Sequence, residues 1–272
     1  MKSGASGMKF IHITDPHLVP PGELLWGLNT FERLEACLAD IAEFHGDAEF
    51  CFISGDLTDR GDQAAYEALG ERLGAFPIRT HLMLGNHDER SAYFEAFPNA
   101  PRDSSGFAQQ SFETPRGRFI LMDTFGEPGN SEGWYCAERM DWLQAELGSA
   151  PGDVYIAMHH PPMDIGVPYM DRIKLREHEE FARLVARYDR VRHIFFGHVH
   201  RMVFGQWNGI GYSALPGLNH QVPLVRGSVE HSYSDEPAMY GVVTVSGNQI
   251  TVNADGYLDR GELPDPPKRK KA

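Results

Sequence analysis

Apolar residues in this chain come in short runs that stop abruptly at glycine or polar residues. "KFIHIT", "AEFCFISG", "RTHLMLG", "GRFILMD", "DVYIAMH" and "RHIFFGH" have the length and the β-branched and aromatic content of buried strands. Between the first two runs, Phe31, Leu34, Leu38, Ile41 and Phe44 recur at three- and four-residue spacing, which places them on one face of a helix. Thr30 is the expected N-cap of that helix. Similar patterns predict helices over 62–75, 138–147 and 176–188. Strand–helix alternation predicts an α/β layered fold. The pattern changes near the end, where "AMYGVVTVSGNQITVNADG" reads as two strands around a Gly-Asn turn. No internal repeat or linker divides the chain.

Composition narrows the class. At 272 residues with 42% apolar content, the chain is long enough for one well-covered core. Its apolar runs are too short to cross a bilayer as helices, and no signal-peptide pattern opens the sequence. "MKSGASG" (1–7) reads as a flexible extension, with Met8 as the natural start. Cys37, Cys51 and Cys136 are odd in number and form no CxxC, which favours a cytoplasmic location and argues against a disulfide framework or thiolate metal site. A net charge of −13 disfavours a nucleic-acid surface. The only basic run, "KRKK" at 268–271, follows a proline-rich stretch and is expected to be part of a disordered tail over 261–272.

Five of the predicted strands end in residues that carry chemistry. The first runs into Asp15 and His17, the second into Asp56, and the third into Asn86, His87 and Asp88. "DVYIAMH" ends in His159 and His160, and "RHIFFG" in His198 and His200. Ligands of layered α/β folds sit outside the carboxyl ends of the strands. In extended chain, residues two apart point to the same side. Asp15/His17 and His198/His200 can therefore each aim two side chains into one cleft. Gly55, Gly85 and Gly197 allow close backbone approach beside these residues. Each motif alone has an ordinary reading as a turn, a cap or a satisfied core histidine. Their joint order, each directly after an apolar run, points to a shared metal centre. Imidazole and carboxylate without thiolate suit zinc, iron or manganese.

The ordered set D-x-H, G-D, G-N-H-D, H-H and G-H-x-H, spanning 15 to 200, resembles the calcineurin-like metallophosphoesterase superfamily. Within it the chain is most similar to the bacterial cyclic nucleotide phosphodiesterase class III group. It is closest to the glycerophosphodiesterase type, through "GELLWGLNTFERL" and "LPGLNHQVP". The resemblance implies a four-layer α/β/β/α sandwich, with a small C-terminal β extension, in a single domain over 8–260 whose cap and hairpin occupy about 218–257.

The same resemblance implies two transition-metal ions. Asp15, His17 and His200 would hold the first, Asn86, His159 and His198 the second, and Asp56 would bridge them. Asn86, a neutral amide, is the weakest donor, so the second ion is expected to be the more labile. Such a pair clamps a phosphoryl group and activates water for in-line attack. His87 would stabilise the equatorial oxygens or protonate the leaving alkoxide, with Asp59 orienting it. His160 and His12 are expected to pack rather than bind. Trp26, Asn29 and His220 are the candidate substrate contacts. The segment "VRGSVEHSYSDEPAMYG" is expected to cover the cleft and support a homo-oligomer that admits compact diesters and excludes polymers.

The expected activity is hydrolysis of small phosphodiesters, either glycerophosphodiesters or cyclic nucleotides. "GDLTDRG" also resembles protein phosphatases, which makes a phosphomonoesterase the alternative, although those enzymes carry GNHE where this chain has "GNHDE". A metal-free scaffold is disfavoured by intact ligands at all seven positions. A nuclease is disfavoured by the acidic charge and the absence of a basic, aromatic-interleaved strip.

Overall fold

A computed structural model of the protein describes residues 7–224, 232–258 and 260–261. The expected flexible extension, apart from Gly7, and the expected basic tail, apart from Gly261, lie outside the described residues, as does the 225–231 part of the expected cleft-covering segment. In chain order the first half contains β1 (Met8–Ile13), α1 (Thr30–His45), β2 (Cys51–Ile53), α2 (Gln63–Ala75), β3 (Thr80–Leu82) and α3 (Arg90–Ala96). Then come β4 (Gln110–Thr114), β5 (Gly117–Leu121), α4 (Ala137–Ser149), β6 (Val154–Met158), α5 (Pro168–Asp171) and α6 (His178–Val185). The chain finishes with β7 (Val191–Phe196), β8 (Val203–Trp207), β9 (Ile210–Ala214), β10 (Met239–Ser246) and β11 (Gln249–Gly256).

Two sheets form, in the orders β11-β10-β1-β2-β3 and β4-β5-β6-β7-β9-β8. Strands β1, β2 and β3 run parallel, as do β5, β6, β7 and β9. Their carboxyl ends therefore emerge on one side of each sheet. The C-terminal β extension is built into the first sheet, because β10 pairs antiparallel with β1, Phe10 opposite Val243.

Period-two alternation creates the layers. Phe10, Phe52, Phe119, Tyr155 and Phe195 point between the sheets, where Phe10 stacks on Phe50 at 4.9 Å and meets the edge of Phe119 at 5.1 Å. Their neighbours Ile11 and Ile53 face the other way, onto Phe31, Leu34, Leu38 and Ile41 of α1. On the second sheet Ile156, Ile194 and Phe196 face Leu143 and Leu147 of α4 and Phe181 of α6. Helices thus cover both outer faces of a pair of packed sheets, which is the four-layer arrangement expected.

Some details differ from the pattern-based expectation. Asn29, not Thr30, caps α1: its side chain accepts from Glu32 N at 3.3 Å, while Thr30 Oγ1 accepts from Val19 N at 3.2 Å. The helix predicted over 176–188 is shorter, ending at Val185. The β8–β9 hairpin was not anticipated, although its Asn208-Gly209 turn, with φ of 50° and 84°, is a strong hairpin signal.

Candidate metal centre

All five ligand-bearing strand ends converge on one cleft between the two sheets. The chain must turn sharply there, and the backbone records it. Asp15, His17, Asp56, His198 and His200 have φ of 51°, 40°, 48°, 68° and 44°, the left-handed region that side chains other than glycine rarely occupy. Each such residue costs about 1 kcal/mol or more, and such strain gathers at functional sites. Glycine supplies the remaining space. A Cβ on Gly55, at φ of 100°, would strike the His159 ring, and one on Gly85 would strike the Asp56 carboxylate.

Each histidine expected to bind a metal has one ring nitrogen tied to an oxygen outside the centre. His200 Nδ1 meets the His220 carbonyl at 2.9 Å and His159 Nδ1 the Ser54 carbonyl at 2.7 Å. His198 Nε2 meets the Ile173 carbonyl at 3.1 Å, and His17 Nδ1 the Asp59 carboxylate at 3.3 Å. Carbonyls and carboxylates only accept, so these nitrogens carry protons and the inward nitrogens are the ones left to bind a cation, directly or, at His159, after losing a proton. His17 Nε2 and His200 Nε2 then lie 3.1 Å apart, lone pair to lone pair. Such a contact is repulsive unless a cation lies between the donors.

The carboxylates complete two donor groups. Asp15 Oδ1 lies 3.1 Å from His200 Nε2, and Asp56 Oδ2 lies 3.4 Å from His17 Nε2. The same Asp56 Oδ2 lies 3.3 Å from His159 Nε2, which in turn is 3.2 Å from Asn86 Oδ1. His198 stands beside His159 with ring centroids 5.1 Å apart. Donors at metal bonds of about 2.1 Å are separated by roughly 3–3.5 Å around one ion, so Asp15, His17, Asp56 and His200 fit one transition-metal cation, and Asp56, His159 and Asn86 bring three donors together for a second, with His198 grouped with His159 and His160. One oxygen of Asp56 belongs to both. Its other oxygen accepts the His87 backbone N–H at 2.8 Å, which fixes the carboxylate's rotation.

Electrostatics agree with that donor set. Burial would raise the Asp56 carboxyl, but the imidazoles of His159, His87 and His17 hold it well below the ordinary range. Burial opposes a charge on His159, yet Asp56 and Asp15 lift its pKa to about 9. His198 goes the other way, lowered to about 3 by burial and by His159.

His87 stands at the edge of the cleft, its ring 4.6 Å from that of His17. Here the structure corrects one expected contact. The Asp59 carboxylate is 3.9 Å from His87 Nδ1 and instead reaches His17 and, at 3.3 Å, Arg60. The Asp59 backbone carbonyl is what meets His87 Nδ1, at 2.8 Å. The α-helical cap corrects another. Asn29 spends both side-chain groups on Glu32, donating to its carboxylate at 2.9 Å and accepting from its amide, so it serves the helix rather than a substrate.

Trp26 and His220 do lie at the site. His220 contacts the rings of His17 and His200 at 4.7 and 4.5 Å, and Trp26 meets His220 at 4.4 Å. Two participants had no role of their own in the sequence reading, which placed Tyr233 only within the expected covering segment and Asp88 only at a strand end. Tyr233 lines the metal cleft and packs on Trp26 at 4.3 Å. Asp88, placed next to His87, accepts from Leu57 N, Thr58 N, Gly85 N and the Tyr66 hydroxyl at 2.8–3.1 Å, clamping the Asp56 loop to the Asn86 loop. His160 hydrogen-bonds Thr124 at 2.8 Å, and His12 hydrogen-bonds Ser54 at 2.8 Å in the inter-sheet core.

Known proteins bear on this geometry. Residues 8–202 match the family described as Calcineurin-like phosphoesterase. A probable cyclic nucleotide phosphodiesterase of Rhodopseudomonas palustris is 37% identical over 264 residues, covering 94% of this chain and 95% of that one. A glycerophosphodiester phosphodiesterase of Enterobacter lignolyticus is 29% identical, covering 85% and 84% of the two chains. Among solved structures, a dimetal phosphatase from Danio rerio aligns with a TM-score of 0.65 at 14% identity, over 93% of this chain and all of that one, which speaks to the fold. The matched span contains every one of the converging strand ends, and the likeness to the Rhodopseudomonas palustris protein runs nearly end to end, so this chain belongs to the calcineurin-like phosphoesterase family.

Proposed function

We propose that this chain is a dinuclear metal-dependent phosphodiesterase acting on small diesters. The observation that carries the reading is Asp56 Oδ2, one buried carboxylate oxygen within 3.4 Å of an inward imidazole nitrogen from each of two donor groups. The family uses two metal ions. When bound, such a pair polarises phosphoryl oxygens and lowers the pKa of water, the chemistry of in-line displacement. Asp15, His17, Asp56 and His200 would hold one ion, and Asp56, Asn86, His159 and His198 the other. Iron, zinc and manganese all suit these donors.

The remaining residues supply the proton and the walls. His87 has its Nδ1–H on the Asp59 carbonyl, which leaves Nε2 for the cleft. Burial disfavours its charged form, but Asp56 and Asp59 raise its pKa above the ordinary histidine value, which suits Nε2 to protonating a departing alkoxide. Tyr169, Met170, Ile173 and Tyr233 wall the cleft, a narrow entrance that favours compact substrates over polymers. The relatives named above act on cyclic nucleotides and glycerophosphodiesters, and both classes have a single phosphodiester with small substituents.

No helix among the described residues is long and apolar enough to cross a membrane. We infer a cytoplasmic protein with one catalytic domain over 8–260 that acts as a homo-oligomer. The pairing of β1 with β10 supports the single domain. Turnover of bis(p-nitrophenyl) phosphate against p-nitrophenyl phosphate, with metal analysis of the same sample, tests the activity. Preference for the diester with two ions bound is expected. Preference for the monoester would replace this reading with a phosphomonoesterase.

A further inference from the structure

A cavity of about 420 Å³, lined by His220 among others, adjoins the metal cleft, and Tyr233 lines both. Trp26 stands at its rim on an unusual backbone. Leu25 and Leu28 exchange two backbone hydrogen bonds of 2.9 Å, closing a two-residue turn in which Trp26 and Gly27 have φ of 47° and 82°. Two positive φ values in succession favour asparagine or glycine. A tryptophan there, 57% exposed, is held against its steric preference with an open indole. Tyr233 lies 4.3 Å from it at an interplanar angle of 35°, and both rings meet His220 nearly edge-on, at 84° and 78°. The cavity therefore has an aromatic wall that leads directly to the metal ligands His17 and His200 through His220.

The charged groups beside it argue against a cationic ligand. The cavity's carboxylate, Asp235, already faces the Arg33 guanidinium at 3.7 Å, and Arg33 also donates to the Asn219 carbonyl at 3.0 Å. An ammonium head group would meet that guanidinium. A neutral planar ring would meet the aromatic faces of Trp26 and Tyr233.

We propose that this cavity is a nucleobase pocket. The base of a 3′,5′-cyclic nucleotide stacks on the Trp26–Tyr233 pair. The phosphodiester then lies at the metal centre on the far side of His220. This rests on the phosphodiesterase reading and selects cyclic nucleotides over glycerophosphodiesters within it.

The test uses the metal-loaded full chain. Steady-state turnover of cyclic AMP and of glycerophosphoglycerol is compared in wild type, Trp26→Ala and Tyr233→Ala. Base stacking of ordinary strength predicts that Trp26→Ala lowers kcat/KM for cyclic AMP about tenfold or more beyond its effect on glycerophosphoglycerol. Independently of turnover, 5′-AMP should quench tryptophan fluorescence where ribose 5-phosphate does not, and Trp26→Phe should abolish the quench. Equal losses on both substrates in the variants, or equal fluorescence responses to 5′-AMP and ribose 5-phosphate, would overturn the pocket. If wild type hydrolyses p-nitrophenyl phosphate but no diester, the phosphodiesterase reading fails, and the fluorescence titration still decides the pocket.

Discussion

Asp59 meets His87 through its backbone carbonyl, 2.8 Å from Nδ1, while its carboxylate turns to His17. A side-chain substitution at this position therefore leaves the His87 contact in place and strips the acceptor from a metal-binding imidazole. Asp59→Ala is expected to weaken the first metal site by about 10- to 100-fold, the usual cost of removing such a partner. Chelator competition measures it. Unchanged affinity with a collapsed kcat at saturating metal would instead tie the carboxylate to His87.

His87→Ala and Asp56→Ala should part company. His87 contributes its backbone amide to Asp56, which alanine retains, so both ions should stay while kcat falls by about 10²–10⁴. Asp56→Ala removes the oxygen common to both donor groups and should empty both sites in a metal analysis. Two tightly held ions in Asp56→Ala, or one lost ion in His87→Ala, would reverse these roles.

Metal affinity should depend on pH through His159. Its pKa, raised to about 9 by Asp56 and Asp15 against burial, means that a proton must leave before Nε2 can bind an ion. Affinity at the second site should rise by about tenfold per unit as pH increases toward 9, and level off above it. Titrations in two buffers of different ionisation enthalpy would detect the released proton. No proton release at pH 7 would contradict the charge state.

Asp88→Asn should loosen the clamp between the two loops. One carboxylate oxygen accepts from Leu57 N and Gly85 N, the other from Thr58 N and the Tyr66 hydroxyl. An amide nitrogen in either position would face N–H groups, so about 1–3 kcal/mol of stability should be lost. Tyr66→Phe removes a single bond and should cost about 0.5–1.5 kcal/mol. Urea denaturation ranks them, and equal stability of Asp88→Asn and wild type would refute the clamp.

Acid stability should reflect two histidines buried between the sheets. Burial lowers His12 from 6.5 to about 3 and His193 from 6.5 to about 4. As pH falls below 6.5 the unfolded chain takes up protons that the folded chain refuses, so stability is lost, by about 1.4 kcal/mol per unit for each group. The loss from His193 stops near pH 4. His193→Gln should flatten the slope of unfolding free energy between pH 6.5 and 4 relative to wild type, and an unchanged slope would show that His193 does not titrate there.

The converging strand ends were legible because each couples a long-range cue to a short-range one. An apolar run such as "RHIFFG" announces a strand, and His198 and His200 follow directly. Residues that act through tertiary contacts left no such trace. Tyr233 sits in the segment expected to cover the cleft, but no local pattern singles it out, and only the folded chain sets it against Trp26. The Asp59 error came from assigning to a side chain a contact that the backbone makes. Asn29 was misread because a polar residue near a site and a helix cap look alike until Glu32 is seen to occupy it. The β8–β9 hairpin was missed despite Asn208-Gly209, since its strands are half exposed and lack an unbroken apolar run.

Strand β10, near the end of the chain, hydrogen-bonds β1 along its length, from Met8 opposite Val245 to His12 opposite Gly241. On a ribosome the first strand is made long before its neighbour. Until then β1 exposes one unpaired edge, and Asp15 at its tip cannot be locked into the finished sheet. The nascent chain must therefore leave the ribosome nearly complete before the ion site becomes rigid, which makes metal loading an event after translation. Truncation just ahead of β10 should release chains that bind metal loosely and aggregate through that edge.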